Sequence, residues 1–283
     1  MPSPHPRLSL NQATTRRGTL EEVTSACRDA GLGGIGLWRE SLANTGLALA
    51  RSLIADCGLT VTSLCRGGFF TAPDAAGRVA ALDENRVAIN EAAAIGSPEL
   101  VLVCGGLPTG SRDLPGARAQ VVNALDALVP YAHDAGVRLC LEPLHPMFCA
   151  DRAVISTAGQ ALELIADYPA RDVGLCLDTY HVWWDPEFPS LAGRLAGRIA
   201  LYQVADWVTP LASDALLSRG HLGQGCIDFG QITSAVFGTG YDGWVEVEIF
   251  RQEVWDAPAG QTIRRIVTDF DRLVVPALPA SGS

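Results

Sequence analysis

Val173-Gly-Leu-Cys-Leu-Asp178 is a short apolar run that ends on a carboxylate. A run this brief, bounded by polar residues, reads as a strand buried on both faces. Working outward, three more runs share its form. Val137-Arg-Leu-Cys-Leu-Glu142 precedes it, and Ile199-Ala-Leu-Tyr-Gln203 and Trp244-Val-Glu-Val-Glu248 follow. Each carries an oxygen donor near its C-terminal end. One carboxylate at a strand exit is commonplace. Four such groups on successive strands, all leaving one side of one sheet, predict a divalent-metal site.

The same reading predicts strands at Leu8–Gln12, Gly34–Trp38, Thr60–Cys65 and Leu100–Cys104, eight in all with the four above and their extensions (Ile199–Val204, Trp244–Ile249). Helical patterns lie between them. Thr19 with Glu22 three residues on has the form of a helix start. Gly31, Gly58, Gly96 and Gly136 close successive helices, and Asp228 opens a later one. Strand and helix alternating through 283 residues predict a parallel sheet closed as a single (β/α)8 TIM barrel. An open doubly wound sheet is the alternative, but Leu10-Asn-Gln-Ala-Thr lacks the Gly-rich phosphate loop it needs. The whole chain, 1–283, is read as one domain, with flexible tails at about 1–6 and 277–283.

Composition narrows the function. Hydrophobic residues make up 48% and charged residues 18%, enough for a large core. The net charge of −10, without a basic run, excludes a phosphate-backbone partner. No apolar stretch reaches membrane length, and the N-terminus lacks a signal-peptide core. Eight cysteines without a Cys-x-x-Cys pair read as reduced thiols in a cytoplasmic protein. Cys65 and Cys149, near strand ends, stay open as catalytic thiols.

In a barrel the site residues stand at the C-terminal strand ends. These are Asn11, Gln12, Trp38, Arg66, Glu142, His145, Asp178, His181, Gln203, Asp206 and Glu248. Glu142, Asp178, Gln203 and Glu248 form an all-oxygen donor set. It favours Mn2+, with Mg2+ or Co2+ as alternatives, over Zn2+. Glu246 shares the parity of Glu248 but lies deeper, as a supporting acid. His145 and His181 each follow a proposed ligand by three residues, and both suit proton transfer or substrate contact. Arg219 and His221, in a Gly-rich loop after the seventh strand, suit substrate binding, with Arg219 holding a substrate oxygen or anion. Trp38, Phe69, Phe70, Trp183 and Trp184 offer an aromatic wall.

Leu141-Glu142-Pro-Leu, Leu177-Asp178-Thr-Tyr-His181, Arg219 with Leu-Gly-Gln-Gly-Cys-Ile-Asp, and Gly240-Tyr-Asp-Gly-Trp-Val-Glu-Val-Glu248-Ile-Phe occur in that order. This set resembles the xylose isomerase-like barrel superfamily, in particular its sugar phosphate isomerase/epimerase group. The resemblance implies metal ligands at Glu142, Asp178 and Glu248, and substrate contacts at His181 and Arg219. Gln203 departs from it, since many relatives carry His there. The implied chemistry is proton abstraction next to a carbonyl of a keto-sugar through an enediolate, with Glu142 and Glu248 as acid and base on opposite faces. Leu144-His145-Pro-Met-Phe and Ser63-Leu-Cys-Arg-Gly-Gly-Phe-Phe also look similar to C-glycoside deglycosylase large subunits. That alternative is a β-eliminating lyase on 3-oxo-glycosides with His145 as acid/base and a small β subunit as partner; an inosose-type dehydratase is a further alternative. Otherwise a homo-oligomer is expected.

Overall fold

A computed structural model describes residues 4–279. Of the expected tails, residues 1–3 and 280–283 lie outside the described residues. His5, expected in a tail, instead packs its ring 6.1 Å from that of Phe270. In chain order the strands are β1 (Leu8–Asn11), β2 (Gly34–Trp38), β3 (Thr60–Gly68), β4 (Glu99–Val103), β5 (Arg138–Leu141), β6 (Val173–Asp178), β7 (Ile199–Val204), β8 (Asp206–Trp207), β9 (Arg219–Gly220) and β10 (Val245–Val247). Eight close into a barrel in the order β1-β10-β7-β6-β5-β4-β3-β2, and β8 pairs with β9 as a separate ribbon. All barrel pairings are parallel. The eight strands read from the sequence are the eight barrel staves. The ribbon was not foreseen, because two-residue strands leave no periodic signal.

Local chemistry sets the helix ends as read. Thr19 Oγ1 accepts from the Glu22 amide at 3.2 Å, and Glu22 Oε2 accepts from the Thr19 amide at 2.8 Å. This reciprocal cap starts the helix Leu20–Ala30, and Gly31 ends it at φ 78°. Asp228 likewise caps Phe229–Phe237 through the Gln231 amide. No helix among the described residues is long and apolar enough to cross a membrane.

Strand parity decides what reaches the barrel interior. Leu100, Leu139, Leu175, Leu177 and Val204 face outward into the core shared with the helices. Cys65, Val101, Cys140, Cys176 and Leu201 face inward and form a small apolar cluster. Two residues beyond Cys140, Cys176 and Leu201 come Glu142, Asp178 and Gln203. They share the inward face, one layer nearer the C-terminal rim. Thus the apolar inner cluster forms a floor and the polar groups stand on it.

At the opposite rim Glu99 lies almost buried at the start of β4, beside Cys140 Sγ at 2.7 Å. Burial pushes its carboxyl up to about 7, against the lowering effects of Cys140 and Arg138. The folded state therefore keeps this proton where the unfolded chain has released it, between about pH 4.5 and 7. Its contribution becomes unfavourable as pH rises through that window, and the penalty is complete above it. We expect Glu99→Gln to raise stability at pH 8 by about 2–3 kcal/mol and to leave it unchanged near pH 4.5. Urea unfolding at the two pH values checks this.

Candidate active site

Glu142, Asp178 and Glu248 are buried together at the C-terminal mouth. Asp178 also caps the short turn Thr179–Val182 by accepting from the Tyr180 amide at 2.8 Å. That helical turn brings His181, three residues on, back over Asp178. The ligand-capable atoms of Glu142, Asp178 and His181 all lie within 4.8 Å of one another. Arg219 enters from β9 and is 1% exposed. Its Nη1 donates to Asp178 Oδ2 and lies 3.2 Å from Glu248 Oε2, so it bridges the two acids. Tyr180 and Phe250 hold the guanidinium between their rings, at 4.8 and 5.0 Å.

The electrostatics follow from this crowding. Burial, then Asp178 and Glu248, hold the Glu142 carboxyl well above the ordinary carboxylate range, with Arg219 opposing. Burial pushes Glu248 up to about 8, although Arg219 pulls the other way. Glu142 Oε1 is buried without a hydrogen-bond partner. Fully ionised, the three carboxylates would outnumber Arg219 by two charges, with Arg66 at the cavity offsetting part of this. A divalent cation would displace the protons that the raised carboxyls hold, and hard oxygen donors suit Mn2+ or Mg2+. The residues present therefore fit such an ion.

His181 faces a donor on each side of its ring. The His145 backbone amide lies 3.2 Å from Nδ1, and Arg219 Nη2 lies 3.1 Å from Nε2. A neutral imidazole accepts at one nitrogen only, and Nε2 also lies 3.9 Å from Glu142 Oε1. A ligating His normally donates through its second nitrogen, and here Nδ1 faces a donor. Burial, then Arg219, keep this imidazole neutral by lowering its pKa well below the usual value. Its Nε2 edge is turned to Arg219 and the acid cluster.

Gln203 lines the cavity, and its Nε2 donates to Glu246 Oε1 at 2.8 Å. Its Oε1 faces Cys176 Sγ at 3.3 Å. Glu246 lies deeper and also accepts from Asn11, Thr62 and Ser63. Gly36 is required beside it, since a Cβ there would come within 2.3 Å of Glu246 Oε2. Asn11 Oδ1 in turn accepts from Trp38 Nε1 at 2.8 Å, which fixes the Trp38 ring at the rim.

The other expected residues divide. Trp38, Arg66 and Phe69 line the cavity beside the acids. Phe69 takes φ 52°, unusual for a non-glycine residue, and its ring lies 4.2 Å from the Arg66 guanidinium. His145 does not line the cavity. Its ring packs 4.8 Å from Trp207 and 5.4 Å from Trp184, and its Nδ1 accepts from the Met147 amide. Residues 142–145 take no helical turn, so the three-residue spacing that returns His181 to its acid carries His145 away. His221 is also outside, buried near Arg265, Asp269 and Arg251, with burial lowering its pKa to about 4. Trp183 and Trp184 line a separate depression with Asp185 and Phe188, and Phe70 is core. Asp206 clamps the Gly-rich loop by accepting from the Trp207, Gly223, Gly225 and Ile227 amides. The Cys65 thiol lines the cavity, but burial and the neighbouring carboxylates push its pKa well up, which disfavours a nucleophilic thiolate. Cys149 lies outside the cavity lining. Phe250 and Arg152 also line it and were missed. Phe250 was findable, being two residues beyond Glu248; Arg152 sits in a loop without periodicity.

A parallel eight-stranded barrel with buried carboxylates at its C-terminal mouth defines an enzyme of the metal-assisted barrel class. More particularly, residues 25–268 match the model of the xylose isomerase-like TIM barrel family, and the chain belongs to that family. Inosose isomerase of Halalkalibacterium halodurans is 28% identical over 69% of this chain and 68% of its own length. L-ribulose 3-epimerase of Mesorhizobium japonicum is 31% identical over 47% of this chain and 41% of its own. 3-Dehydroshikimate dehydratase of Pseudomonas putida is 28% identical over 86% of this chain but only 38% of its own. A crystal structure of a protein from Sinorhizobium meliloti 1021 superposes with a TM-score of 0.91 at 42% identity, covering 94% of this chain and 98% of that one. The IolI protein, solved with a bound zinc atom, shares the fold with a TM-score of 0.83 at 23% identity, over 96% and 99% of the two chains.

Arg219→Met leaves two acids buried without their cation. We expect a loss of about 3–5 kcal/mol at pH 9. The loss shrinks at pH 6, where the Glu248 carboxyl holds its proton. Denaturant unfolding at both pH values measures it.

Proposed function

We propose that this chain is a divalent-metal-dependent isomerase or epimerase of keto-sugars, acting by proton abstraction next to a carbonyl through an enediolate. The observation that carries this reading is the buried cluster of three carboxyls around the Arg219 guanidinium, with Glu142 Oε1 unpartnered. Glu142, Asp178 and Glu248 would hold the ion, Mn2+ in first place. Gln203 Oε1, engaged only by the weak Cys176 thiol contact, would serve as a weaker fourth donor. When bound, the ion supplies a Lewis acid that polarises the substrate carbonyl.

The remaining steps belong to the side chains. Glu142 and Glu248 stand on different strands of the rim and flank the substrate. Burial raises both carboxyls, Glu248 to about 8, which suits groups that take up and return a proton. One removes the proton beside the carbonyl and the other returns it. Return at the neighbouring carbon isomerises; return to the opposite face of the same carbon epimerises. His181, whose Nε2 edge is turned to Arg219 and the acid cluster, contacts a substrate oxygen, and Arg219 steadies the developing negative charge. Trp38, Phe69 and Phe250 wall the site against water. The names of the relatives, inosose isomerase and L-ribulose 3-epimerase, agree with this chemistry.

The deglycosylase alternative gives His145 the acid/base role, and that ring packs against Trp184 and Trp207 rather than lining the cavity. The dehydratase alternative does not depend on His145 and agrees with the name of the 3-dehydroshikimate dehydratase relative. The test is exchange of substrate α-protons with D2O, followed by NMR on a panel of ketoses with Mn2+. Wild type should exchange, while Glu142→Gln and Glu248→Gln should each lose about 100-fold or more. Release of water or an aglycone without a rearranged sugar would overturn the isomerase reading.

A further inference from the structure

The cavity beside the acids is small, about 80 Å3. Ligand sites usually measure about 300–1,000 Å3, so this space admits a reacting end and little more. Beyond the Trp38–Phe250 pair, whose rings meet edge-on at 5.5 Å, lies a groove of about 530 Å3. Both rings line both spaces, so the groove begins one ring away from the acid cluster. One bank is Gln12 to Thr19, after β1; the other is Trp38 to Thr45, after β2.

Its chemistry points to a polyhydroxylated ligand. Gln12 is 5% exposed; its Nε2 lies 2.5 Å from Ser41 Oγ and its Oε1 has no partner. Whichever way the amide is turned, one polar atom stays unsatisfied, which is costly in a buried group. A ligand hydroxyl, able to donate and accept, would satisfy either once a turn of the side chain brings the buried atom to the groove that Gln12 lines. Asn44, Ser41 and Thr45 add neutral hydrogen-bonding groups. Arg16 and Arg17 also line the groove, but Arg16 is paired with Glu40 at 3.3 Å and Arg17 with Asp256. These exposed pairs lower the positive charge of the groove without removing it. The indole face of Trp38 suits the apolar face of a sugar ring.

We propose that this groove is a second sugar subsite, so that the substrate is a ketose carrying a further glycosyl unit. The inference rests on the isomerase/epimerase reading for the reacting end and adds the recognition of the distal end. Isomaltulose, a ketose bearing a glucosyl unit, and D-fructose are suitable probes. Their affinities are to be measured by calorimetry on the Mn2+-supplemented protein and on Asn44→Trp, which places a bulky ring in the groove. Isomaltulose should bind at least about tenfold tighter than fructose, and Asn44→Trp should erase that advantage. Equal affinities, or an advantage that survives the substitution, would overturn the subsite. Gln12→Leu, which keeps volume but removes both polar atoms, should cut isomaltulose binding alone, and a circular-dichroism melt checks that each variant folds. The α-proton exchange is a separate readout: its failure with both sugars, alongside a preserved affinity ratio, would reject the enolising chemistry and leave the groove standing.

Discussion

The mouth of this barrel is organised by the buried pairing of Arg219 with Asp178 and Glu248. Three carboxylates gathered in a low-dielectric interior repel one another and resist ionisation. The raised carboxyls of Glu142 and Glu248 are the direct result. Arg219 relieves part of the repulsion and Arg66 a little more, and the carboxyl oxygens left over suit the site to a divalent cation. The surroundings serve to keep this arrangement in place. Tyr180 and Phe250 sandwich the guanidinium, and the β8–β9 ribbon carries it in. Asp206 pins the loop beyond the ribbon through four backbone amides, and Gly225 is needed there because a Cβ would come within 2.0 Å of the Trp207 carbonyl oxygen.

Beneath the acids, Glu246 plays a different part with the same chemistry. Asn11, Thr62, Ser63 and Gln203 all donate to it, so its charge is dispersed in hydrogen bonds. The network reaches outward through Asn11 to Trp38, and so ties the barrel interior to the aromatic rim. One layer is satisfied by hydrogen bonds; the layer above keeps two raised carboxyls and an unpartnered oxygen on Glu142. The two layers differ by one strand repeat, Glu246 to Glu248.

The strand residues were legible because a strand's period of two is rigid. Val173–Asp178, Gly34–Trp38 and Ile199–Val204 have the bounds that their apolar runs imply. Once those runs are strands, the inward direction of Asp178 and Gln203 follows. Residues past the strand ends were not legible in the same way. His181 and His145 share a spacing, yet only His181 is carried by a helical turn. His221 sits two residues from Arg219 but on the far side of the ribbon's end. The separation of Trp183 and Trp184 from the mouth, and the arrival of Arg152, depend on loop packing that leaves no pattern in the chain.

The central claim is that the acid cluster receives one divalent cation. Calorimetric titration of the metal-stripped protein with Mn2+, alongside Asp178→Asn, tests it most directly. The account predicts one ion per chain for wild type and an affinity at least about tenfold weaker for the variant. Absence of binding to wild type, or undiminished binding to Asp178→Asn, would contradict it.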